Sequence, residues 1–257
     1  MSLESVPPDA WVRLRLHTAA RIALGRTGGS LPTREQLAFA ADHALARDAV
    51  HAAFDADGFA AEMSRLHADP LVLSSAARDG ATYLRRPDLG RKLSEESAGR
   101  LSALDVIVAP DLVVIVSDGL SALAAQRQAA PLLGALLPRL RAMGFVLAPL
   151  CVVRRARVAL MDEVGALFRA RLALMLLGER PGLGTSDSLG AYLVFGPRAG
   201  RTNADRNCVS NIRSAGLPPA AAAEKLFALL TAARAQRLSG VGLKEPASTV
   251  AQAAACA

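Results

Sequence analysis

A segment in the second half of the chain gathers the groups best suited to bind a ligand. Residues 178–189 (GERPGLGTSDSL) follow a run of aliphatic residues and contain three glycines, one proline, several hydroxyl groups and Glu179. Glycine lets a ligand approach the backbone closely, and a carboxylate placed directly after a buried strand is a candidate ligand-binding group. The same segment would also suit a structural turn in which Glu179 pairs with Arg180 or Arg206. The residues alone leave both interpretations open.

A second candidate is Cys208, which lies in the polar stretch 204–213 (ADRNCVSNIR), where no pattern typical of a core strand is present. A single cysteine is usually a small buried hydrophobe, and a role at a binding site is the alternative. The three cysteines, Cys151, Cys208 and Cys256, form no CxxC pair. Their odd number and spacing argue against a disulfide framework or a zinc site. We therefore predict no metal ligands and expect a reducing, cytoplasmic setting.

Familiar catalytic and phosphate-binding motifs are missing from the sequence. Residues 182–187 lack the last glycine of a dinucleotide-binding GxGxxG motif, and the glycine-rich residues 25–30 lack the lysine of a P-loop. All four histidines lie in the N-terminal half, and none belongs to a DxHxxG motif, by which some cobalamin-binding modules ligate cobalt. We therefore predict no catalytic residues on this chain.

The hydrophobic pattern predicts the elements that must position these candidates. Continuous aliphatic runs, which are typical of buried parallel strands, lie at residues 111–117, 145–153, 172–177 and 190–195. Alanine- and leucine-rich segments predict helices at residues 122–128, 131–143, 162–169 and 218–238. Gly144 and Gly240 are the expected stops of two of these helices. Strands that alternate with helices indicate an α/β domain with a mostly parallel sheet.

The N-terminal part has a different pattern, in which we expect only helix and loop. Helices are predicted at residues 33–50 and 60–67, and Thr33 with Gln36 fits a capping box. The predicted fold is α/β, with a mostly helical N-terminal region followed by a three-layer α/β domain with a mostly parallel sheet. The corresponding ranges are residues 1–103, 104–245 and a flexible tail at 246–257.

Ligands of such sheets bind at the carboxyl ends of the strands. The predicted ligand-binding loops are therefore residues 117–121, 154–158 and 178–188.

Composition and charge limit the classes of partner. The chain has 257 residues, of which 52% are hydrophobic, so it can build a substantial core. Residues 1–103 carry 13 basic and 13 acidic side chains, so the net charge of +7 belongs to residues 104–257. This basic half suits an anionic ligand, nucleic acid or an acidic partner. Because no nucleic-acid-binding motif is present and no apolar run reaches the roughly 20 residues of a membrane span, we expect neither nucleic acid nor a membrane as a partner.

Several motifs together resemble the small (light) subunit of ethanolamine ammonia-lyase. They are GERPGLG at 178–184, ADRNCVSNI at 204–212, ARIALGRTG at 20–28, ARDAVH at 46–51, YLRRPDLG at 83–90, SDGLSA at 117–122 and GLPP at 216–219. The resemblance covers residues 12–244, and several of these motifs are long and unusual in composition. The chain is identified on this basis as a member of that family.

The resemblance implies a subunit of an adenosylcobalamin-dependent lyase that converts ethanolamine to acetaldehyde and ammonia by a radical mechanism. In this family a large subunit carries the substrate site, and the small subunit helps to hold the corrin at the interface of a hetero-oligomer. The chain alone is therefore expected to be inactive. Carried over by motif, the cofactor-binding residues are Val158, Glu179 and Cys208. The Glu179 carboxylate would accept hydrogen bonds from corrin amides, and the other two would pack on the macrocycle edge.

The surface and the location of the protein can also be predicted. Residues 20–51 and 78–92 are rich in arginine, a residue enriched at interfaces, and we expect them to face the large subunit. The shared region begins close to the first residue, so we expect no long N-terminal extension of the kind that some members use to enter a bacterial microcompartment. The cytoplasm is the expected location, with encapsulation left open. The alternative function is a non-catalytic α/β module that binds a nucleotide or nucleic acid.

Overall fold

The computed structural model describes residues 10–18, 20–66 and 69–244. Within these ranges the strands are β1 (Leu71–Ser74), β2 (Leu112–Ser117), β3 (Cys151–Arg154), β4 (Leu172–Gly178), β5 (Leu189–Phe195) and β6 (Arg206–Ile212). The α-helices are α1 (Thr33–His51), α2 (Ala56–Met63), α3 (Gly80–Arg85), α4 (Glu95–Ser102), α5 (Ala122–Ala142), α6 (Leu160–Leu167) and α7 (Pro219–Gln236). Short 3-10 helices lie at Ala10–Leu16, Leu89–Arg91, Asn203–Asp205 and Gly240–Gly242. The predicted tail, residues 246–257, lies outside the described residues.

These six strands form one sheet in the order β1-β3-β2-β4-β5-β6. β1, β3, β2 and β4 pair in parallel. β5 is antiparallel to both of its neighbours, so β6 points in the same direction as β4. Five strands therefore share one direction, which confirms the predicted α/β fold with a mostly parallel sheet.

Helices cover the two faces of this sheet to different extents. On the first face, α2, α5 and α7 pack on side chains from β2 to β6 and form one hydrophobic core. On the second face, α4 and α6 pack on side chains from β1 to β4, and Val194 of β5 belongs to the same core. The second face of β5 and β6 has less cover, because Tyr192 is only half-buried and Cys208 is exposed. We call this region the open face, and it consists of Glu179, Gly190, Tyr192 and Cys208.

Three predicted strands are confirmed to within one residue, and three predicted helices form with small differences at their ends. The aliphatic runs predicted β2 and β4 correctly because every residue of these two strands is buried, as expected for strands covered on both faces. The confirmed strands are β2, β4 and β5, and the confirmed helices are α1, α6 and α7.

Two strands were missed. β1 lies in the region expected to contain only helix and loop, yet it pairs with β3 at the edge of the sheet. It has only four residues, which is too short for a clear pattern. β6 occupies most of the polar stretch at 204–213, for which no core strand was expected. The apolar residues Val209 and Ile212 lie three positions apart there because the register of the strand pair is irregular, so the period of two is lost.

Other predicted bounds were also wrong. The two helices predicted on either side of Pro131 are one continuous helix, α5. A proline inside a helix removes a backbone hydrogen bond, but the burial of ten residues along α5 outweighs this loss. The strand predicted at 145–153 is limited to β3, and the helix predicted at 60–67 begins earlier, as α2.

Two predicted helix ends differ as well. α1 starts after Pro32 without a side-chain cap, so the capping box does not form. α7 ends where Arg237 adopts a left-handed conformation, before Gly240. None of the helices in the described ranges is both long and apolar enough to span a bilayer.

Candidate functional site

The three predicted ligand-binding loops lie along one edge of the sheet. Residues 117–121, 154–158 and 178–188 follow the carboxyl ends of β2, β3 and β4, which pair in parallel. The first and third loops touch, because the Leu120 amide donates a hydrogen bond to the Gly178 carbonyl at 2.9 Å. Asp118 joins the first loop to the second by accepting a hydrogen bond from the Arg155 amide at 2.6 Å. Burial raises the pKa of Asp118, while hydrogen bonds from the Arg155 amide and the Ser117 hydroxyl oppose the shift.

Glu179 follows β4 directly and has well-defined partners. Its Oε2 accepts hydrogen bonds from the Ser188 hydroxyl at 2.5 Å and from the Asn211 amide at 3.3 Å. Within the described ranges its Oε1 accepts no hydrogen bond from a protein donor. The suggested ion pair with Arg180 or Arg206 does not form, because Arg206 pairs with Asp162 instead. Glu179 is therefore fixed by neutral donors and keeps one free acceptor oxygen.

A β-bulge creates this arrangement. The register of β5 and β6 shifts between Leu189 and Ala191, and Asn211 adopts a left-handed conformation with φ of 56°. The amide of Asn211 can therefore point at Glu179 instead of completing the ladder. Gly190 leaves the necessary space, since a Cβ there would lie 2.9 Å from Oε1 of Glu179 and 3.1 Å from the Tyr192 ring. The backbone thus holds the Glu179 carboxylate in one position, and we call this group the seated carboxylate.

Cys208 lies directly opposite Tyr192 in the ladder between β5 and β6. The residue is exposed, so its interpretation as a buried hydrophobe is wrong. Partial burial of the thiol raises the pKa of Cys208, the charge of Glu179 adds to this effect, and a hydrogen bond with Tyr192 opposes it. Burial likewise raises the pKa of Tyr192. Because the thiolate is the nucleophilic form of cysteine, this cluster suits packing and hydrogen bonding rather than covalent catalysis.

Val158 lies in the loop before α6, where it packs on the second-face core and stays half-exposed. It lines a cavity of about 430 Å³ together with four arginines, Arg91, Arg157, Arg201 and Arg206. We call this space the basic cavity. Arg206 precedes Cys208 by two residues, so both side chains lie on the same side of β6 and the basic cavity adjoins the open face.

A buried ion pair forms the inner wall of the basic cavity. Arg206 contacts Asp162 of α6, and only 4% and 8% of the two side chains are exposed. Burial raises the pKa of Asp162 to about 6, although the charge of Arg206 and its hydrogen bond lower it. Arg201 is paired as well, with Asp205 at 3.0 Å.

The structure therefore brings Glu179 and Cys208 together at the open face, and Val158 lies at the border of that face, in the basic cavity. The sequence analysis missed Gly190 and Tyr192, which complete the open face, and Asn211, whose amide holds Glu179. Recognition of β6 as a strand would have placed Arg206 and Cys208 on one face by their period of two, but the pairing of Cys208 with Tyr192 also depends on the register of β5 and β6. No signal in the sequence could have paired Asn211 with Glu179.

The arrangement offers a hydrogen-bond acceptor beside an apolar contact surface. A carboxylate with a free oxygen accepts a hydrogen bond from an amide N–H, and the neighbouring thiol and ring offer an apolar contact. Among the residues that the structure describes, no group of three or more His, Cys, Asp or Glu side chains is arranged to hold a metal ion.

Known proteins similar to this chain give a consistent answer. The family model described as ethanolamine ammonia-lyase light chain (EutC) matches residues 8–244. The ethanolamine ammonia-lyase small subunit of Azotobacter vinelandii is 53% identical over 241 residues, which cover 93% of this chain and 89% of that protein. The small subunit of Ralstonia nicotianae is 51% identical, with 95% and 91% coverage. The small subunit of Xanthomonas campestris pv. campestris is 50% identical, with 96% and 92% coverage. The resemblance noted in the motifs is thereby confirmed, and the chain belongs to the ethanolamine ammonia-lyase light-chain family.

Proposed function

We propose that this chain is the small subunit of an adenosylcobalamin-dependent ethanolamine ammonia-lyase, which converts ethanolamine to acetaldehyde and ammonia. Membership of the family supports the assignment to ethanolamine ammonia-lyase, and the chemistry of the open face supports a role in binding the corrin. When bound, adenosylcobalamin supplies the radical chemistry, while the protein supplies position and seclusion from water. In this proposal the residues of this chain bind and orient the corrin, and the catalytic residues belong to the large subunit of a hetero-oligomer.

The observation that carries the cofactor role is the seated carboxylate of Glu179. Peripheral amide groups surround a corrin ring, and each can donate N–H groups to an acceptor. Oε2 of Glu179 is held by Ser188 and Asn211, whereas Oε1 has no donor within the described part of the chain. A carboxylate that is already fixed loses little conformational entropy when it binds a ligand. The seated carboxylate is therefore suited to accept a hydrogen bond from an amide at the edge of a corrin.

Val158 and Cys208 supply the apolar contacts in this proposal. Val158 is half-exposed and Cys208 is exposed, so both retain surface that a ligand can cover. Covering apolar surface is worth about 25 cal/mol per Å², and a neutral thiol packs as a small hydrophobe. Their contribution is smaller than that of Glu179 because neither forms a charged hydrogen bond.

We further propose that the N-terminal region, residues 1–103, contacts the large subunit through residues 20–51 and 78–92. In the nineteen residues of α1 only Glu35 and Ala49 are buried. Three large apolar side chains of the same helix are exposed, namely Leu37, Phe39 and Leu45. Exposed apolar side chains concentrated on one element are typical of an interaction surface.

A cobalamin titration of Glu179→Ala in the assembled enzyme tests the proposed cofactor role. The substitution leaves corrin amide donors unpaired in a desolvated site, which costs about 1–3 kcal/mol. The dissociation constant for cobalamin should therefore rise roughly 5- to 150-fold. The KM for ethanolamine at saturating cobalamin should stay the same, because Glu179 does not touch the substrate in this proposal.

Glu62→Ala is the matched control, since Glu62 is an exposed glutamate on α2, which packs on the first face. Its cobalamin affinity should equal that of the wild type. If Glu179 were only a structural turn residue, Glu179→Ala would lower the stability of the fold and leave the cobalamin dissociation constant unchanged. That result would remove Glu179 from the proposed site.

Reversing the charge of Arg85 tests the proposed subunit surface. Arg85 is exposed, and among the described residues its guanidinium donates a hydrogen bond only within its own helix, to the Ala81 carbonyl at 3.3 Å. Arg86 is less suitable because it pairs with Asp88 at 2.7 Å. Arg85→Glu should weaken assembly by about tenfold, or about 1.4 kcal/mol, as measured by sedimentation or co-purification. Arg65→Glu, outside the proposed surface, is the control, and equal assembly of the two variants would contradict the proposed surface.

The cytoplasm is the location that we propose, supported by the odd number of cysteines and the lack of a CxxC pair. Encapsulation of the assembled enzyme in a bacterial microcompartment would not change the proposed roles of these residues.

A further inference from the structure

We propose that the basic cavity binds a phosphate group and that, if the proposed function holds, this group is the phosphodiester in the nucleotide tail of cobalamin. Glu179 and Cys208 would hold the edge of the ring, and the basic cavity would hold the one anionic group of the same molecule. The proposal concerns a second contact with the cofactor, through residues that have no part in the contacts described above except for Val158 at the border.

The charge of the basic cavity is the first observation. Arg91, Arg157, Arg201 and Arg206 line it, and no aspartate or glutamate does so. Two of these arginines are neutralised by ion pairs, Arg201 by Asp205 and Arg206 by Asp162. Arg91 and Arg157 form no ion pair with any described residue. Like charges in one cavity repel each other, so an anion would relieve the repulsion.

Unsatisfied hydrogen-bond donors are the second observation. The Nε atoms of Arg157 and Arg206 are buried and have no hydrogen-bond partner in the described part of the protein. Only 4% of the Arg206 side chain is exposed. Buried polar groups are nearly always paired in folded proteins, so each exception needs an explanation. A ligand rich in acceptor oxygens that draws these guanidiniums toward it would provide one.

The chemistry of the guanidinium group selects the ligand. Arginine binds phosphate and carboxylate through two parallel N–H···O hydrogen bonds. The side chains of Thr202 and Asn203 add further polar groups to the lining. The peripheral amides of a corrin are neutral, so the phosphodiester is the group of cobalamin that matches a cavity of arginines. Val158 lines the basic cavity and is also a proposed corrin contact, so one bound molecule would meet both.

Arg157 is partly preorganised for this role. Its guanidinium lies over the Tyr83 ring, 4.2 Å from the ring centroid, and donates a hydrogen bond to the Tyr83 carbonyl at 3.1 Å. Arg91 is exposed, and its guanidinium has no hydrogen-bond partner among the described residues. Substitution of Arg91 therefore tests the cavity with little risk to the fold, whereas substitution of Arg157 gives the larger effect.

The experiment compares cobalamin with cobinamide, which has the corrin ring but lacks the nucleotide tail. Both are titrated into the assembled enzyme, and bound corrinoid is measured by ultrafiltration and visible absorption. Arg157→Gln and Arg91→Ala should each weaken cobalamin binding, by about tenfold or more for Arg157→Gln. Cobinamide binding should change less than twofold in both variants. Arg65→Ala removes an exposed arginine outside the basic cavity and should change neither value.

Competition with inorganic phosphate distinguishes two possible ligands of the basic cavity, the phosphodiester of cobalamin and free phosphate. In the wild type, phosphate should compete with cobalamin but not with cobinamide, and Arg157→Gln should weaken this competition. If phosphate bound the wild type and cobalamin did not displace it, the cavity would be a site for free phosphate and the assignment to the nucleotide tail would be wrong.

Three further outcomes overturn the proposal. Equal losses for cobalamin and cobinamide would show that the arginines act on the ring or on the fold. Weaker assembly with unchanged corrinoid affinity would show that the cavity receives an acidic side chain of the large subunit. Unchanged binding in Arg91→Ala and Arg157→Gln, both verified by circular dichroism, would show that the cavity binds no part of the cofactor. Failure of the proposed function gives a different result, because the wild type would then retain neither corrinoid.

Discussion

On the first face of the sheet, α5 and α7 cover the strands up to β6, whereas on the second face the core under α4 and α6 reaches Val194 of β5 and leaves Cys208 of β6 exposed. Side chains on the first face, such as Leu136 and Ala191, are fully buried. On the second face, Cys208 of β6 is exposed and Tyr192 of β5 is half-buried. The first face therefore only stabilises the fold, whereas the second face combines a buried core with an open region whose polar groups stay available for a ligand.

Helix length explains much of this difference. On the first face, α5 has 21 residues and α7 has 18. On the second face, α4 and α6 have eight residues each. At 1.5 Å per residue an eight-residue helix is only about 12 Å long, and strands lie about 4.8 Å apart. Two such helices cannot cover the whole second face of six strands, and the part of that face around Tyr192 and Cys208 stays open.

The largest expected contrast between the two faces is in stability. Leu136→Ala removes a fully buried side chain of α5 from the first-face core and should lower the free energy of unfolding by about 2–5 kcal/mol. Cys208→Ser, on the open face, should change it by less than about 0.5 kcal/mol. Urea unfolding of both variants measures the contrast. A loss for Cys208→Ser similar to that for Leu136→Ala would mean that the open face is part of the stabilising core.

The same contrast explains what could be predicted from the sequence. β2 and β4 were predicted correctly because burial on both faces leaves an unbroken aliphatic run. The position of Glu179 after β4 followed from the same pattern. β6 was missed because one of its faces is open and its bulge interrupts the alternation of apolar residues. The features that make this end of the sheet suitable for a ligand are therefore the features that hide its last strand.

The partners of Glu179 could not be predicted for a related reason. Ser188 lies 9 residues away along the chain, and Asn211 lies 32 residues away. Strand pairing and a bulge bring them together, and neither is visible in local composition. The resemblance to a known family singled out Val158 within the predicted loop 154–158 and favoured a binding role for Cys208. Without it, the residues alone gave three loops, one carboxylate and an open interpretation of Cys208.

A smaller effect on stability is expected when a side chain of the protein itself is enlarged at the open face. Gly190→Ala places a Cβ 2.9 Å from Oε1 of Glu179 and 3.1 Å from the Tyr192 ring. Because one of these groups must move, we expect a loss of about 1–3 kcal/mol of stability, as for other overpacked sites. Cobalamin binding should also weaken, since the shift displaces the free oxygen of the seated carboxylate.

The control for this prediction is Gly99→Ala, at a helical glycine of α4 where an added Cβ meets no atom within 4 Å. Alanine favours the helix, so this variant should be neutral or slightly more stable and should bind cobalamin normally. Full cobalamin affinity in Gly190→Ala would show that the space above Gly190 is not needed by the ligand.

The last prediction concerns the pH dependence of stability at Asp162, in the inner wall of the basic cavity. Burial raises the pKa of Asp162 from 3.8 to about 6. The folded state therefore binds this proton more tightly than the unfolded state does. Between about pH 4 and pH 6 the folded chain carries more protons, so the free energy of unfolding falls as the pH rises. The contribution is complete below about pH 4 and lost above about pH 6, with a slope of at most about 1.4 kcal/mol per pH unit.

Asp162→Asn isolates this contribution, because asparagine does not titrate. Urea unfolding of the wild type and the variant between pH 4 and pH 7 should give two curves whose difference declines from pH 4 to pH 6 and is flat above. Parallel curves would mean that Asp162 titrates alike in the folded and unfolded states. A difference that grows with pH would mean that Arg206 stabilises the carboxylate more than burial penalises it. The inner wall of the basic cavity would then be a stabilising ion pair, and Arg206 would be less available to an anion than the proposed phosphate site requires.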